Sequence, residues 1–162
     1  MASTTMQSLR KEAERQLRAY RQNGSTLRDV EKNGLRTRVY RTSGRVVPPP
    51  SARELADMRD WARIIDRVRT FLRGTDPVKE RFMARYFALI VPSNRRVSKR
   101  MRHIQMMEEF FISDSTVYKW KLDILHLVIL TAMDCGKLRL PDNLGENRAA
   151  PDATGRGRGF DA

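Results

Sequence analysis

The side chains whose types and spacing could do chemistry are concentrated between residues 95 and 121. The segment 113–121 reads Ser-Asp-Ser-Thr-Val-Tyr-Lys-Trp-Lys, which combines short hydroxyls with one carboxylate, one phenol and two cations. At the start of a helix, such groups can reach the phosphates and base edges of a duplex, because an α-helix fits the major groove. The candidate base-reading residues are Asp114, Ser115, Thr116, Tyr118 and Lys119.

A cationic cluster precedes this segment. Five of the eight positions from 95 to 102 are Lys or Arg, and none is acidic. Such a run can hold phosphates, which adds affinity without sequence information, although most charged runs are simply solvated faces. The candidate phosphate-binding residues are Arg95, Arg96, Lys99, Arg100, Arg102, Ser113 and Lys121.

Composition indicates the class of partner. The chain has 162 residues, with 32 Lys and Arg against 19 Asp and Glu, and a formal net charge of +13. This balance attracts polyanions, so DNA, RNA or an anionic membrane are the candidate surfaces. No apolar stretch approaches the roughly 20 residues that span a bilayer, and no signal-peptide core follows Met1. We therefore expect a soluble cytoplasmic protein with no membrane partner.

Catalytic and metal-binding patterns are missing from the sequence. It contains no Gly-rich phosphate loop, nucleophile elbow or His-Asp-Ser set. His103 and His126 are the two histidines, and neither has metal-ligand spacing to Cys or acidic residues. Cys135 is the single cysteine, so an intrachain disulfide is impossible. We expect no enzymatic activity, no cofactor and no metal site.

The first 50 residues are predicted to form a basic helical arm followed by a proline-rich linker. Apolar residues at helical spacing indicate an amphipathic helix over 6–22 that stops at Asn23-Gly24, and Ser25 can cap a short helix ending near Gly34. The narrow apolar stripe can pack on a partner helix, on a second copy of the chain or on its own domain, so a homo-oligomer stays open. Pro48-Pro49-Pro50 marks the predicted domain boundary.

Residues 51–140 are predicted to form a helical domain, which makes the fold class all-α. Ser51 and Glu54 have the spacing of a capping box, and Asp76-Pro77 is a typical helix start. The last helix is apolar on nearly every side, as expected of a central core helix or half of a dimer interface. Helices are predicted at about 52–73, 77–91, 102–111 and 114–134, with a flexible, disordered tail over 141–162.

The last two predicted helices have the pattern of a helix-turn-helix at about 102–130. Apolar residues recur where the two helix axes approach, at Met106, Phe110, Ile112, Val117 and Trp120. The alternative is a well-capped helix without a binding role. Such motifs usually carry Gly at the position of Phe111 and a small residue at the position of Met107. Because a bulky residue at positive φ is costly, the sequence predicts a rearranged turn.

The segment Ile112-Ser113-Asp114-Ser115-Thr116-Val117 resembles the turn and recognition helix in the promoter-reading C-terminal domain of sigma factors. Together with the upstream helices, it is similar to the phage-encoded transcriptional regulators of the ArpU and RinA type. The resemblance implies a sigma-like regulator that activates late genes of a phage or prophage. It also implies a location at the nucleoid of the bacterial host cell. Any contact with RNA polymerase would come from another surface.

The function expected from the sequence is therefore sequence-specific binding of double-stranded DNA in transcriptional regulation. A first alternative is a DNA-packaging component similar to a phage small terminase subunit, which would form a ring-shaped oligomer. A second alternative is an RNA-binding or purely structural helical protein. Comparable affinity for any RNA and any DNA would favour the second.

Overall fold

Five helices dominate the computed structural model, which describes residues 2–35, 38–39, 44–92 and 97–140. They are α1 (Ala2–Asn33), α2 (Ala52–Thr75), α3 (Pro77–Tyr86), α4 (Lys99–Phe110) and α5 (Asp114–Asp134). Two short strands, β1 (Arg38–Val39) and β2 (Val46–Val47), pair antiparallel. The all-α class is confirmed. No helix in the described ranges has the length and apolarity that crossing a membrane requires.

The predicted starts of α2 and α3 are confirmed. The Glu54 N–H donates to Ser51 Oγ at 3.1 Å, and the Ser51 N–H donates to Glu54 Oε2 at 2.7 Å, which completes the capping box. The Lys79 N–H donates to Asp76 Oδ1 at 3.0 Å, with Pro77 in the first helical position. These caps satisfy backbone donors that the first turn cannot pair internally.

α1 continues through Asn23-Gly24, so the predicted helix end at this pair is wrong. A glycine inside a helix costs only about 1 kcal/mol relative to alanine, and packing on both sides of the pair offsets this cost. Before it, Leu17 is fully buried. After it, Val30 lines a cleft together with Pro48 and Met58. The helix ends instead at Asn33, and the next residue, Gly34, has a φ of 73°, which suits the position just after a helix.

The N-terminal helix belongs to the same core as the helices that follow the prolines. Ala13 and Leu17 are fully buried in a cluster that includes Ile65 of α2 and Val128 of α5. The proline segment therefore separates two stretches of sequence, but α1 packs on the helical domain and does not extend from it as an arm. The sequence allowed three packing partners for the apolar stripe of α1. In the structure the stripe packs against the helical domain of the same chain. The tail 141–162 lies outside the described residues.

α3 ends at Tyr86, five residues before the predicted end at 91. The chain leaves the helix through Ala88, which has a φ of 53°, and the Leu89 N–H donates to the Ala84 carbonyl at 3.0 Å. This turn lets both Phe87 and Leu89 face the core, where they are 1% and 3% exposed. The free energy gained by burying these two side chains exceeds the free energy that continuing the helix would give.

An aromatic cluster joins α3 to α4 and α5. The ring of Phe82 lies 5.4 Å from that of Tyr86, 5.6 Å from that of Phe110 and 5.4 Å from that of Trp120, measured between centroids. Phe82 is fully buried. Edge-to-face and offset aromatic pairs each contribute about 0.5–1.5 kcal/mol beyond area burial. The cluster thus fixes the position of α4 and α5 relative to the rest of the fold.

Candidate nucleic-acid interface

The connection between α4 and α5 is three residues long, and Phe111 makes it possible. Phe111 adopts the left-handed conformation, with φ 53° and ψ 46°, and its N–H donates to the Met107 carbonyl. The predicted rearrangement of the turn is therefore wrong, because Phe111 takes the backbone conformation that glycine usually supplies. Its side chain is 93% exposed. The tight turn forms although burial of the Phe111 ring does not compensate for the cost of its left-handed backbone.

The five predicted inward positions lie between the two helices and the core. Met106 is 3% exposed and Val117 is fully buried. The other three are partly buried and pack against the core cluster, namely Phe110, Ile112 and Trp120. This packing sets the angle between α4 and α5, so the side chains at the start of α5 are presented in a defined direction.

We expect Phe111→Gly to be more stable than Phe111→Ala by about 1 kcal/mol. A left-handed backbone costs an L-residue about 1 kcal/mol, and glycine avoids this cost. Both substitutions remove the same exposed ring, so the difference isolates the backbone. The measurement is urea unfolding followed by circular dichroism. Equal stability of the two variants would mean that Phe111 carries no backbone strain.

Ser113 caps α5, as predicted, and its cap involves two of the candidate reading residues. The Thr116 N–H donates to Ser113 Oγ at 3.3 Å. The Ser113 hydroxyl also lies 2.9 Å from Thr116 Oγ1 and 3.0 Å from Ser115 Oγ. The Thr116 hydroxyl is occupied in the cap, and the Thr116 side chain is half-buried. Thr116 therefore mainly holds the helix start in place, and its hydroxyl is less accessible to an outside partner.

The remaining candidate reading residues form one exposed face at the start of α5. Ser115 and Lys119 are exposed, Tyr118 is 46% exposed and the Asp114 side chain is 61% exposed. Leu122 extends this face and is 38% exposed, although the sequence pattern did not identify it as a candidate. Its position four residues after Tyr118 is the signal that could have identified it, because residues four apart share a helix face.

α4 begins at Lys99, three residues before the predicted start. The Met101 N–H donates to Ser98 Oγ at 3.2 Å, so Ser98 is an N-cap that the sequence reading missed. Lys99 and Arg100 are consequently exposed in the first turn of α4, which has no acidic residue, and Arg102 is half-buried. The candidates Arg95 and Arg96 lie outside the described residues.

The starts of α4 and α5 meet at a cleft lined by Lys99, Arg100, His103, Asp114 and Tyr118. Its floor is the ring of His103, which lies 4.6 Å from the Tyr118 ring between centroids. The cleft therefore places two α4 cations beside the exposed face of α5. An anion entering it would meet both cations and the carboxylate of Asp114.

His103 connects this cleft to the core and was not selected from the sequence as a functional residue. It is 4% exposed, and its Nε2 lies 2.9 Å from the Tyr86 hydroxyl. Its Nδ1 is buried without a hydrogen bond and lies 3.6 Å from Asp114 Oδ1. Burial lowers the pKa of His103, and Asp114 partly opposes this effect. Burial also raises the pKa of Tyr86, to about 12. Both side chains are therefore neutral at pH 7.

Lys121 is engaged inside the chain. Its side chain is 12% exposed, and its Nζ lies 3.5 Å from Glu14 Oε2 of α1 and 5.9 Å from the centroid of the Tyr86 ring. Burial lowers its pKa, although Glu14 opposes this effect. Lys121 is therefore paired with α1, whereas Lys99 and Arg100 face solvent. The sequence could not reveal the pairing, because residue 14 and residue 121 are far apart in the chain.

No protein-family model, curated protein or solved structure matches this chain. The described residues also include no cluster of three or more His, Cys, Asp or Glu side chains placed to hold a metal ion. The interpretation of the cleft and the exposed α5 face therefore rests on their geometry and chemistry.

Proposed function

We propose that this chain binds double-stranded DNA sequence-specifically, with α4 and α5 acting as a helix-turn-helix. One observation carries the proposal: the exposed side chains at the start of α5 lie beside a first turn of α4 whose charges are all positive. A duplex presents the matching arrangement, because its base edges in the major groove are flanked by phosphates.

In this proposal the start of α5 enters the major groove. Ser115, Tyr118 and Lys119 are exposed and can donate to base edges, while the Asp114 carboxylate can accept from the exocyclic amine of cytosine. The apolar Leu122 can contact a thymine methyl group. Ser113 and Thr116 hold the helix start in place through the cap. The candidates Ser115, Tyr118 and Lys119 therefore take the main reading role.

Phosphate binding is assigned to Lys99 and Arg100, with Arg102 beside them. The first two are exposed at the α4 start, where the positive end of the helix dipole adds to their charge. Arg95 and Arg96 remain sequence-based candidates for the same role. Lys121 has no part in this assignment, because Glu14 already pairs with it.

The wider proposal is that DNA binding serves transcriptional regulation, as the resemblance to the ArpU and RinA type implies. The chain would act at the nucleoid of a bacterial host, on late genes of a phage or prophage, without catalysing a reaction. A surface away from the α5 face would contact RNA polymerase.

The test is selection of bound sequences from random duplex DNA, followed by fluorescence-anisotropy titrations at several salt concentrations. Ser115→Ala/Lys119→Ala should lose about tenfold or more in affinity for the selected duplex and little for random duplex, because base contacts carry the preference. Lys99→Ala/Arg100→Ala should weaken all duplexes alike. It should also reduce the slope of log affinity against log salt by about 1.8, which corresponds to two phosphates.

The matched control is Arg53→Ala/Arg59→Ala, which removes the same charge from exposed positions of α2. It should leave the salt slope nearly unchanged. The proposal is overturned if the chain ignores duplex DNA, or if the control reduces affinity as much as the α4 variant. Equal affinity for RNA and DNA of any sequence would instead favour the alternative of general RNA binding.

A further inference from the structure

A buried nitrogen without a partner lies at the cleft between α4 and α5. Among the described residues, His103 Nδ1 is the single buried side-chain nitrogen or oxygen that makes no hydrogen bond. His103 is 4% exposed, and Asp114 Oδ1 lies 3.6 Å from this nitrogen, just beyond hydrogen-bond distance. Because folded proteins pair nearly all of their buried polar groups, this exception calls for a structural or functional reason.

The neighbours of the His103 ring decide which of its nitrogens carries the proton. Nε2 lies 2.9 Å from the Tyr86 hydroxyl, which can donate or accept a hydrogen bond. An ionised carboxylate can only accept, so Asp114 favours the proton of the neutral ring on Nδ1. Burial raises the pKa of Tyr86 to about 12, so its hydroxyl keeps the proton that it donates to Nε2. The three side chains can therefore form a relay, in which Tyr86 donates to His103 and His103 donates to Asp114.

The relay joins a fixed donor to a free acceptor. The His103 ring lies 5.6 Å from the Tyr86 ring and 4.6 Å from the Tyr118 ring, measured between centroids, so packing holds it in place. The Asp114 side chain, by contrast, is 61% exposed. No other described residue makes an ion pair or hydrogen bond with its carboxylate. Within the described part of the chain, His103 is therefore the side chain placed to set the direction of the Asp114 carboxylate.

We propose that His103 is a positioning residue for base reading: its Nδ1–H donates to the Asp114 carboxylate in the major groove and directs that carboxylate toward the exocyclic amine of a cytosine. Carboxylates suit this base, because its amine is a hydrogen-bond donor exposed in the major groove. The inference rests on the proposed function, which places Asp114 at the duplex. It adds that the preference for cytosine depends on a buried side chain that does not touch DNA.

The electrostatics of the groove explain why Asp114 needs such a donor. A carboxylate that approaches DNA is repelled by the phosphates. Lys99 and Arg100 line the same cleft and oppose that repulsion, but neither forms an ion pair that fixes the direction of the carboxylate. A hydrogen bond from His103 does both, and exclusion of water from the cleft strengthens it. A shift of less than about 1 Å brings Asp114 Oδ1 from 3.6 Å to the usual N–H···O distance.

Two conservative substitutions of His103 separate the two ends of the relay. In His103→Asn, the amide nitrogen lies close to the position of Nδ1 and can still donate to Asp114, whereas the contact with Tyr86 is lost. In His103→Gln, the amide oxygen reaches the position of Nε2 and can still accept from Tyr86, whereas donation to Asp114 is lost. Both variants lose the ring, so a merely structural role of His103 predicts similar effects for both. The positioning role predicts a difference between them.

The readout is the affinity ratio between cytosine and thymine at one position of the selected duplex, measured by fluorescence anisotropy. That position is the one at which Asp114→Ala abolishes the preference for cytosine. The wild type should favour cytosine there by about tenfold. His103→Asn should keep this ratio within about twofold, whereas His103→Gln should reduce it to about threefold or less. The salt slope should not change, because no phosphate contact is lost. His126→Gln, at the other histidine, is the matched control and should leave the ratio unchanged.

A second measurement needs no DNA. Side-chain NMR of the nitrogen-labelled full chain distinguishes the two neutral tautomers of histidine, and His126→Gln assigns the signals of the two rings. The proton of wild-type His103 should lie on Nδ1. Asp114→Ala should lower the pKa of His103 further, because Asp114 opposes the lowering by burial, to which Lys99 and Lys121 add. A proton found on Nε2, or a pKa that does not respond to Asp114→Ala, would overturn the relay whether or not the two His103 variants fold.

The outcomes separate this inference from the proposed function. If the chain selects a DNA sequence but the two His103 variants change the cytosine ratio alike, the positioning role is overturned and DNA binding stands. The same conclusion follows if Asp114→Ala alters the preference at no position. If the tautomer and the pKa response are as expected but the chain ignores duplex DNA, the proposed function and the positioning role both fail. The hydrogen bonds of the relay would then remain a feature of the free protein.

Discussion

Phe82→Ala should lower the free energy of unfolding by about 3–5 kcal/mol, the largest effect expected of any single core substitution here. Phe82 is fully buried, and its ring contacts those of Tyr86, Phe110 and Trp120. Its removal leaves a cavity where α3, α4 and α5 meet. The measurement is urea unfolding with tryptophan fluorescence, which reports on Trp120 in the same cluster.

The matched control for this prediction is Phe111→Ala, which removes the same ring from the turn between α4 and α5. Because Phe111 is 93% exposed, this variant should change stability by less than about 1 kcal/mol. A loss of less than about 1.5 kcal/mol in Phe82→Ala would contradict the central position of Phe82 in the core.

Removal of either partner of the ion pair between α2 and α3 should cost about 3 kcal/mol. Arg69 Nε donates to Glu80 Oε1 at 3.1 Å, and each side chain is 11% exposed. A partner left alone would be a poorly solvated charge, which is more costly than the pair is favourable. Arg69→Ala and Glu80→Ala should therefore both unfold at clearly lower urea concentration. Arg73, 3.5 Å from the same carboxylate oxygen, reduces the effect of losing Arg69.

The double variant Arg69→Met/Glu80→Leu separates this explanation from simple loss of packing. It removes both charges and keeps apolar volume, so its stability should lie within about 1 kcal/mol of the wild type or above it. Together with the single variants Arg69→Met and Glu80→Leu it forms a double-mutant cycle, in which the double variant should lose much less stability than the two single variants combined. If the double variant loses as much as the two single variants together, the destabilisation comes from packing and the ion pair is not its cause.

Much of the fold could be predicted because several helix starts are decided by hydrogen bonds within four residues of sequence. Ser51 with Glu54, Asp76 with Pro77, and Ser113 each act through such a local pattern. Apolar periodicity then identified the helices themselves. Where a boundary depends only on nearby residues, the sequence contains the required information.

Boundaries set by tertiary packing could not be predicted in this way. The passage of α1 through Gly24 depends on contacts with residues 48–58, and the early end of α3 depends on core positions for Phe87 and Leu89. Phe111 shows the same limit, because its unusual backbone conformation is imposed by the packing of α4 against α5. In each case a distant contact outweighs the local preference.

The candidate interface was predicted in part. The sequence selected Ser115, Tyr118 and Lys119, which the structure exposes on one face, because exposure follows from helical spacing. It also selected Lys121, whose partner Glu14 belongs to a helix more than 100 residues away. His103 was missed because the sequence does not show that α5 would cover its ring. DNA binding itself stays a prediction for the titrations to decide.

The contact between α1 and α5 has a consequence for the timing of synthesis. Arg10 Nη2 lies 3.1 Å from His126 Nε2, across 116 residues of sequence. At the usual 5–20 residues per second, His126 leaves the ribosome roughly 6–23 s after Arg10. α2 can cover one side of α1 within that time, but the side that contacts α5 stays exposed until α5 has been synthesised. A nascent chain of this protein therefore exposes part of its future core for seconds, in the interval when chaperones recognise such surfaces.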